Sequence, residues 1–421
     1  MSLLLRRNSS QLRLLQRLGA VTAAEVRRFA STDSDNDNNN VTAATATTAP
    51  TPTTTATATA EGNKLQSKRL NKLSAVADAD IKKSVFISQS HDIFTNLALE
   101  DWLYKNFDFG NHHVLLLWAN DPCVVIGRHQ NPFTEANVSR LMERGITLAR
   151  RNSGGGAVYH DRGNLNCTFF TPRERYNRKY NLNIVTRALF REWAIKSEIN
   201  DRDDIVIKNK KISGTAAKLG HPNAYHHCTI LASANKLHLG ESLVKEPANY
   251  ISRATASVPS PIRNLVDVNR NVNVPQLLSA VGYEYLRTAA MALEDGGSTQ
   301  TMKQRGFQLV NPTEKWFPGI EELRANYSSW DWVIGKTPKF TVEKELELKA
   351  DNNGMKLKLS VEVEAGVMAS IGIQLPQTDQ MVPVVTPLQG KAYNEQNLNG
   401  IIEALKMVST SNVQQAMNGS I

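Results

Sequence analysis

The sequence predicts an α/β protein built on mixed sheets, α+β in character, with a smaller α+β domain at its C-terminal end. Three observations lead there. From about residue 84 onward, apolar runs of strand length and segments of helical period interleave without the strict alternation of a doubly wound sheet. The composition, 41% hydrophobic and 21% charged, suits a chain that buries its cores in water, and no apolar run approaches the ~18 residues of a membrane span. Near residue 331 the pattern changes to long strands: "FTVEKELELKADNNGMKLKLSVEVEAG" alternates apolar and polar residues across the turn signal DNNG. The 421 residues therefore divide into a larger domain over 84–330 and a smaller one over 331–421.

Two segments precede these domains. Residues 1–30 carry six arginines against the single Glu25, so more than half of the formal charge of +9 lies there. Rich in Arg, Leu and Ser, with arginines that can share one helix face, this stretch has the pattern of a mitochondrial transit peptide, with removal expected near Phe29 to Ser31. A basic surface helix or nucleic-acid arm is the alternative reading. Residues 31–80 are Asp/Asn-rich and then Thr/Ala/Pro-rich, a composition that cannot offset its ordering entropy and predicts a disordered tether.

The elements follow in order. "SVFISQS" predicts a strand, and "HDIFTNLALEDWLYKNF" a helix capped by Ser90 or Asp92. "HHVLLLWAN" and "PCVVIGR" predict buried strands, and "NPFTEANVSRLMERG" one helix closed by Gly145. "LNCTFFTP" reads as a strand and "NLNIVTRALFREWAIKS" as an amphipathic helix. "DIVIKNKKISGTA" reads as two short strands around a Lys-Asn-Lys turn, and "LNGIIEALKMV" as a last helix. Cys123, Cys167 and Cys228 are odd in number, scattered and set among aliphatic residues, so they predict core thiols rather than disulfides, a zinc site or a thioester nucleophile. His226 and His227 lack further ligands at metal spacing and read as hydrogen-bonding residues at a strand start, so no metal site is expected.

Two stretches carry chemistry. In "RRNSGGGAVYHD", Arg150 to Asp161, two arginines end a strand and three glycines leave backbone N–H groups bare. Bare amides beside guanidiniums suit a phosphate or carboxylate, although the spacing is neither that of a P-loop nor that of a dinucleotide fingerprint. A tight structural turn remains the alternative. In "KNKKISGTAAK", a lysine turned into a partly dry site would be a compact cation for a phosphate or a developing oxyanion. A solvated charge cluster at a hairpin tip is the alternative there, and the small residues from Ser213 to Ala216 favour a ligand lying against the backbone.

Taken together, "RRNSGGGAVYHDRGNLN", "KISGTAAK", "YHHCTIL", "VVIGRHQNP" and "SWDWVIGKTPKF" resemble the lipoate-protein ligase A and mitochondrial lipoyltransferase family, in the same order and over most of the chain from Ser84. The resemblance implies a biotin/lipoate-protein ligase-like catalytic domain, a small accessory domain, and a tunnel that holds a lipoyl chain bent against AMP. It implies Lys211 as the catalytic lysine. Arg151 would meet the adenylate, and Gly156, Ala157, Val158 and Tyr159 would line it. Arg202, Asp204, Thr229 and Thr255 would complete the ligand site.

The implied reaction is transfer of a lipoyl or octanoyl group from lipoyl-AMP, or from an acylated carrier protein, to a lysine. The implied acceptors are the lipoyl domains of 2-oxo acid dehydrogenase E2 subunits, with the glycine cleavage H protein as a further candidate. A complete ligase would instead make the adenylate from lipoate and ATP with Mg2+. The enzyme is expected to act as a monomer in the mitochondrial matrix, without a membrane partner. A non-catalytic nucleic-acid binder would present aromatics interleaved with Lys/Arg on a sheet face, and no such platform is visible.

Overall fold

The computed structural model describes residues 76–244, 248–348, 355–374, 381–384 and 386–407. The leader 1–30, the tether up to residue 75 and the DNNG turn lie outside the described residues.

The chain opens with β1 (Lys82–Ser88), α1 (Ile93–Asn106), β2 (His112–Trp118) and β3 (Cys123–Ile126). Next come α2 (Pro132–Glu135), α3 (Val138–Glu143), β4 (Thr147–Arg150), β5 (Val158–His160), β6 (Asn164–Pro172) and α4 (Arg178–Trp193). The short strands β7 (Glu198–Ile199), β8 (Ile205–Ile207) and β9 (Lys210–Lys211) lead into β10 (Ser213–Leu219) and β11 (Asn223–Leu231). Then follow α5 (Lys236–Ser242), β12 (Asn249–Ser252), α6 (Val274–Arg287), α7 (Gly297–Met302), β13 (Gly306–Val310) and α8 (Ile320–Ser328). After a π-helical turn, Asp331–Gly335, the chain ends in β14 (Phe340–Leu348), β15 (Met355–Glu364), β16 (Val367–Gln374), β17 (Met381–Pro383) and α9 (Glu395–Met407).

The main sheet has the order β10-β11-β6-β2-β1-β13. It is mixed, as the sequence predicts: β1 runs parallel to both β2 and β13, whereas β2–β6, β6–β11 and β11–β10 are antiparallel. Both faces are covered, which is why β2 reads as an unbroken apolar run. Strand alternation sends Leu115, Leu117, Cys167 and Phe169 to the core beneath α4 and α6, and Val114, Leu116 and Phe170 to the core shared with α1 and α8. Asp92 caps α1 by accepting the Thr95 N–H (2.9 Å).

Two expectations change. The single helix over Asn131–Gly145 is two short helices, because Ala136 is extended (φ −146°) and the Asn137 side chain caps a second start by accepting the Arg140 N–H. The five-stranded sheet, β12-β14-β15-β16-β17, recruits β12 from well before residue 331, and its core under α9 takes in Phe133 and Val138. The three cysteines are free and buried.

Candidate active site

A cavity of about 310 Å³ opens between two small sheets at one end of the main sheet. One wall is the loop after β4, with Arg151, Gly155, Gly156, Ala157 and Val158. The other wall holds Arg202, Asp204, Lys211, Gly214, Thr215, Ala216, His227 and Thr229, and the segment Thr255–Val258 lies across the rim. Its buried end is formed by Leu97, Trp118, Val125, His160 and Asn166.

The glycine loop is held from within. The Arg151 side chain is buried and donates to the carbonyls of Val125 (3.1 Å), Gly154 (2.6 Å) and Gly156 (2.7 Å) and to Ser153 Oγ (3.0 Å). Its guanidinium therefore shapes the loop while its charge sits in the cavity wall. Burial pulls its pKa down to about 10, so it stays cationic at neutral pH. The glycines differ in what they allow. A Cβ on Gly155, whose φ is +89°, would meet the Arg151 guanidinium and Ala216, and one on Gly156 would meet Ser257 Oγ at 2.9 Å. A Cβ on Gly154 would meet nothing within 4 Å. Gly127 matters more than any of the three, because its Cβ would lie 2.1 Å from the Gly155 carbonyl oxygen.

Arg150 takes a different place from the one its sequence position suggests. It is fully buried and donates to the carbonyls of Arg128 (3.1 Å), Gln130 (2.7 Å) and Val333 (2.8 Å) and to Thr337 Oγ1 (3.0 Å). Trp332 Nε1 donates back to the Arg150 carbonyl (2.7 Å). This arginine fastens the π-helical turn of the "DWVIG" motif to the strands below the loop, and it has no donor left for a ligand phosphate.

The opposite wall rests on the β8–β9 hairpin. Its turn residues Lys208 and Asn209 both have positive φ (47° and 60°), as a two-residue hairpin turn requires. Alternation then buries Ile212 in the core and turns Lys211 into the cavity. The Lys211 backbone is pinned on its free side, its N–H donating to the Pro261 carbonyl and its carbonyl accepting from the Arg263 N–H. Its ammonium pairs with Asp204 at 2.7 Å, with 23% of the lysine side chain exposed. Asp204 is buried, whereas Arg202 is exposed at the rim. Thr229 Oγ1 accepts the Gly214 N–H (2.8 Å) and so holds β10 close to β11.

The structure thus brings Arg151, Gly156, Ala157, Val158, Arg202, Asp204, Lys211, Thr229 and Thr255 together around one cavity. Tyr159 is the exception. The alternation that turns Val158 inward sends the Tyr159 ring to the opposite face, among Val124, Ile126 and Leu141.

Further residues brace the site through contacts distant in sequence. Ser257 Oγ accepts from the Ala157 N–H (2.8 Å) and from Gln130 Nε2 (3.0 Å), closing the rim segment onto the glycine loop. Behind the loop, Ser153 Oγ bonds His227 Nε2 (2.8 Å), and His227 Nδ1 bonds the buried Glu100 carboxylate (2.9 Å). A polar residue on the packed face of a helix, as Glu100 is on α1, was the available hint. Among the described residues, no group of three or more His, Cys, Asp or Glu could hold a metal ion.

Residues 92–285 match the lipoyl protein ligase A/B catalytic domain. The chain is 39% identical over 303 residues to the lipoyl amidotransferase LIPT1, mitochondrial, of Mus musculus, covering 70% of this chain and 77% of that protein. It is 36% identical over 249 residues to the lipoate-protein ligase A of Psychrobacter cryohalolentis, covering 58% and 70% respectively. In fold it is similar to P. falciparum LipL1, crystallised in complex with lipoate, with a TM-score of 0.52, 24% identity, and coverage of 77% of this chain and 100% of that one. The mixed-sheet architecture is that of the lipoate ligases. The chain belongs to the family of lipoyl amidotransferases and lipoate-protein ligases that carry the lipoyl protein ligase A/B catalytic domain.

Proposed function

We propose that the chain is an acyltransferase of protein lipoylation. It moves a lipoyl or octanoyl group from its adenylate, or from an acylated carrier protein, to a lysine on the lipoyl domain of a 2-oxo acid dehydrogenase E2 subunit or of the glycine cleavage H protein. The observation that carries this reading is Lys211: one ammonium, paired with Asp204 at 2.7 Å, facing a glycine loop across a cavity of about 310 Å³. That volume is within the ~300–1,000 Å³ typical of small-molecule sites.

The chemistry follows from the two walls. The acyl-adenylate is a mixed anhydride, whose phosphate lies beside the loop amides and the charge of Arg151. Its carbonyl oxygen lies toward Lys211. As the acceptor amine attacks, a C–N bond forms and negative charge gathers on that oxygen, where the Lys211 ammonium stabilises it. Collapse breaks the bond to the phosphate oxygen, AMP leaves, and the amine gives up a proton to water. Arg202 and Thr255 meet the ligand at the rim, and Thr229 holds the lysine wall in register.

A second reading is favoured by the bacterial ligase relative: the same site would first join lipoate to ATP. Mg2+ would then arrive on the nucleotide phosphates. The Arg-rich leader and the mitochondrial relative support a place in the mitochondrial matrix, with residues 1–30 as the targeting segment, 31–80 as a tether, 84–330 as the catalytic domain and 331–421 as an accessory domain whose sheet takes β12 from within the catalytic segment. Incubation with apo lipoyl domain and either lipoyl-AMP, or lipoate with ATP and Mg2+, tests both readings by mass spectrometry. Transfer from lipoyl-AMP alone identifies the transferase, transfer from both the ligase, and transfer from neither, nor from an acylated carrier, overturns the proposal.

A further inference from the structure

One wall residue of the cavity has a polar atom without a hydrogen-bond partner among the described residues. His160 is 3% exposed and lines the cavity at its buried end, next to Leu97, Trp118 and Val125. Its ring is T-shaped against Trp118 at 6.1 Å. His160 Nδ1 bonds Asn120 Nδ2 at 3.0 Å, and among the described residues Nε2 has no hydrogen-bond partner.

The proton on that ring is assigned by a chain of bonds that begins at a backbone carbonyl. The Ser90 carbonyl can only accept, so the atom of Asn96 that meets it at 3.0 Å is its NH2 group. The same NH2 group reaches Asn120 at 2.9 Å, so the atom it meets is the Asn120 amide oxygen. The Asn120 NH2 group therefore faces His160, and Nδ1 must accept. Burial, with Arg151 and His227 nearby, holds the imidazole neutral by depressing its pKa to about 3. A neutral ring that accepts at Nδ1 carries its proton at Nε2. The result is a single buried N–H donor, preset by Ser90, Asn96 and Asn120, on a residue that lines the cavity beside Leu97, Trp118 and Val125.

We propose that this Nε2–H donor is a specificity element that selects an acyl group bearing a ring sulfur, a dithiolane, over a plain saturated acyl chain of the same length. The inference rests on the acyl-transfer reading above. A methylene placed against the donor leaves a buried N–H unpaired, which is costly, whereas a divalent sulfur is a weak acceptor and recovers part of that cost. The site therefore prefers lipoyl to octanoyl by roughly five- to tenfold in kcat/KM, the part of an unpaired-donor penalty that a weak acceptor restores.

The test compares lipoyl-AMP with octanoyl-AMP on one apo lipoyl domain. His160→Phe keeps a flat ring without the donor and brings the ratio of the two kcat/KM values close to one. His160→Gln retains an N–H and restores part of the preference. Asn120→Asp gives Nδ1 a carboxylate to donate to, moves the proton away from Nε2 and lowers the ratio as His160→Phe does. Ring 15N NMR of the unmodified protein reads the tautomer independently of activity, with Nε2 protonated as the expected result. A ratio that His160→Phe leaves unchanged, or a ring protonated at Nδ1, overturns the inference. Absence of transfer from either adenylate by the unmodified protein overturns the acyl-transfer reading itself.

Discussion

The two walls of the cavity are built on opposite plans. In the glycine-loop wall the charged side chains are already engaged: Arg151 with three carbonyls and Ser153, Arg150 with the turn at 332–337, while the Ala157 N–H is held by Ser257. The lysine wall offers one partly exposed ammonium with a single carboxylate partner on a two-stranded hairpin. The difference assigns labour. The first wall is a fixed cradle whose shape is the contribution, and the second presents a charge free to follow a developing oxyanion. Substitutions in the first wall should be read in stability, and those in the second in rate.

Arg150→Ala tests the cradle most severely. It leaves buried carbonyls of Arg128, Gln130 and Val333 unpaired, and the expected loss is about 4 kcal/mol, measured as a lower denaturant midpoint. Gly127→Ala should cost about 2–3 kcal/mol by driving the Gly155 carbonyl away, whereas Gly154→Ala should stay within about 0.5 kcal/mol. Equal losses at 127 and 154 would remove the distinction drawn among the glycines. On the lysine wall, Asp204→Asn should leave the melting temperature nearly unchanged and lower transfer on the order of tenfold (~1.4 kcal/mol), because Lys211 loses the group that aims it. Ser257→Ala should be the mildest, raising KM about fivefold as the rim segment loses one hydrogen-bonded anchor, about 1 kcal/mol. A fall in kcat at unchanged KM would place Ser257 with the lysine wall instead.

How much of this was legible in the sequence depends on the range of the interaction. Strands β2 and β3 are plain because burial on both faces produces continuous apolar runs. The β8–β9 hairpin is plain because turn chemistry is local, whereas the choice of Lys211 among its lysines comes from the family resemblance. The split between α2 and α3 is not, since an asparagine that caps a new helix looks like any polar residue within one. Arg150 and Arg151 are neighbours with identical local signals, yet one binds a turn 183 residues away and the other braces its own loop. The pairing of His227 with Glu100 spans 127 residues. Such contacts leave no periodicity, and only the folded chain assigns them.

The central claim is that Lys211 acts on the transition state across a cradle that binds the adenylate without it. The most direct measurement pairs single-turnover transfer from lipoyl-AMP with calorimetric affinity for lipoyl-AMP in Lys211→Ala. The account predicts at least a hundredfold loss of transfer, about 3 kcal/mol, with affinity changed far less and the fold retained. Transfer at the unmodified rate, or a loss of affinity as large as the loss of rate, would contradict it.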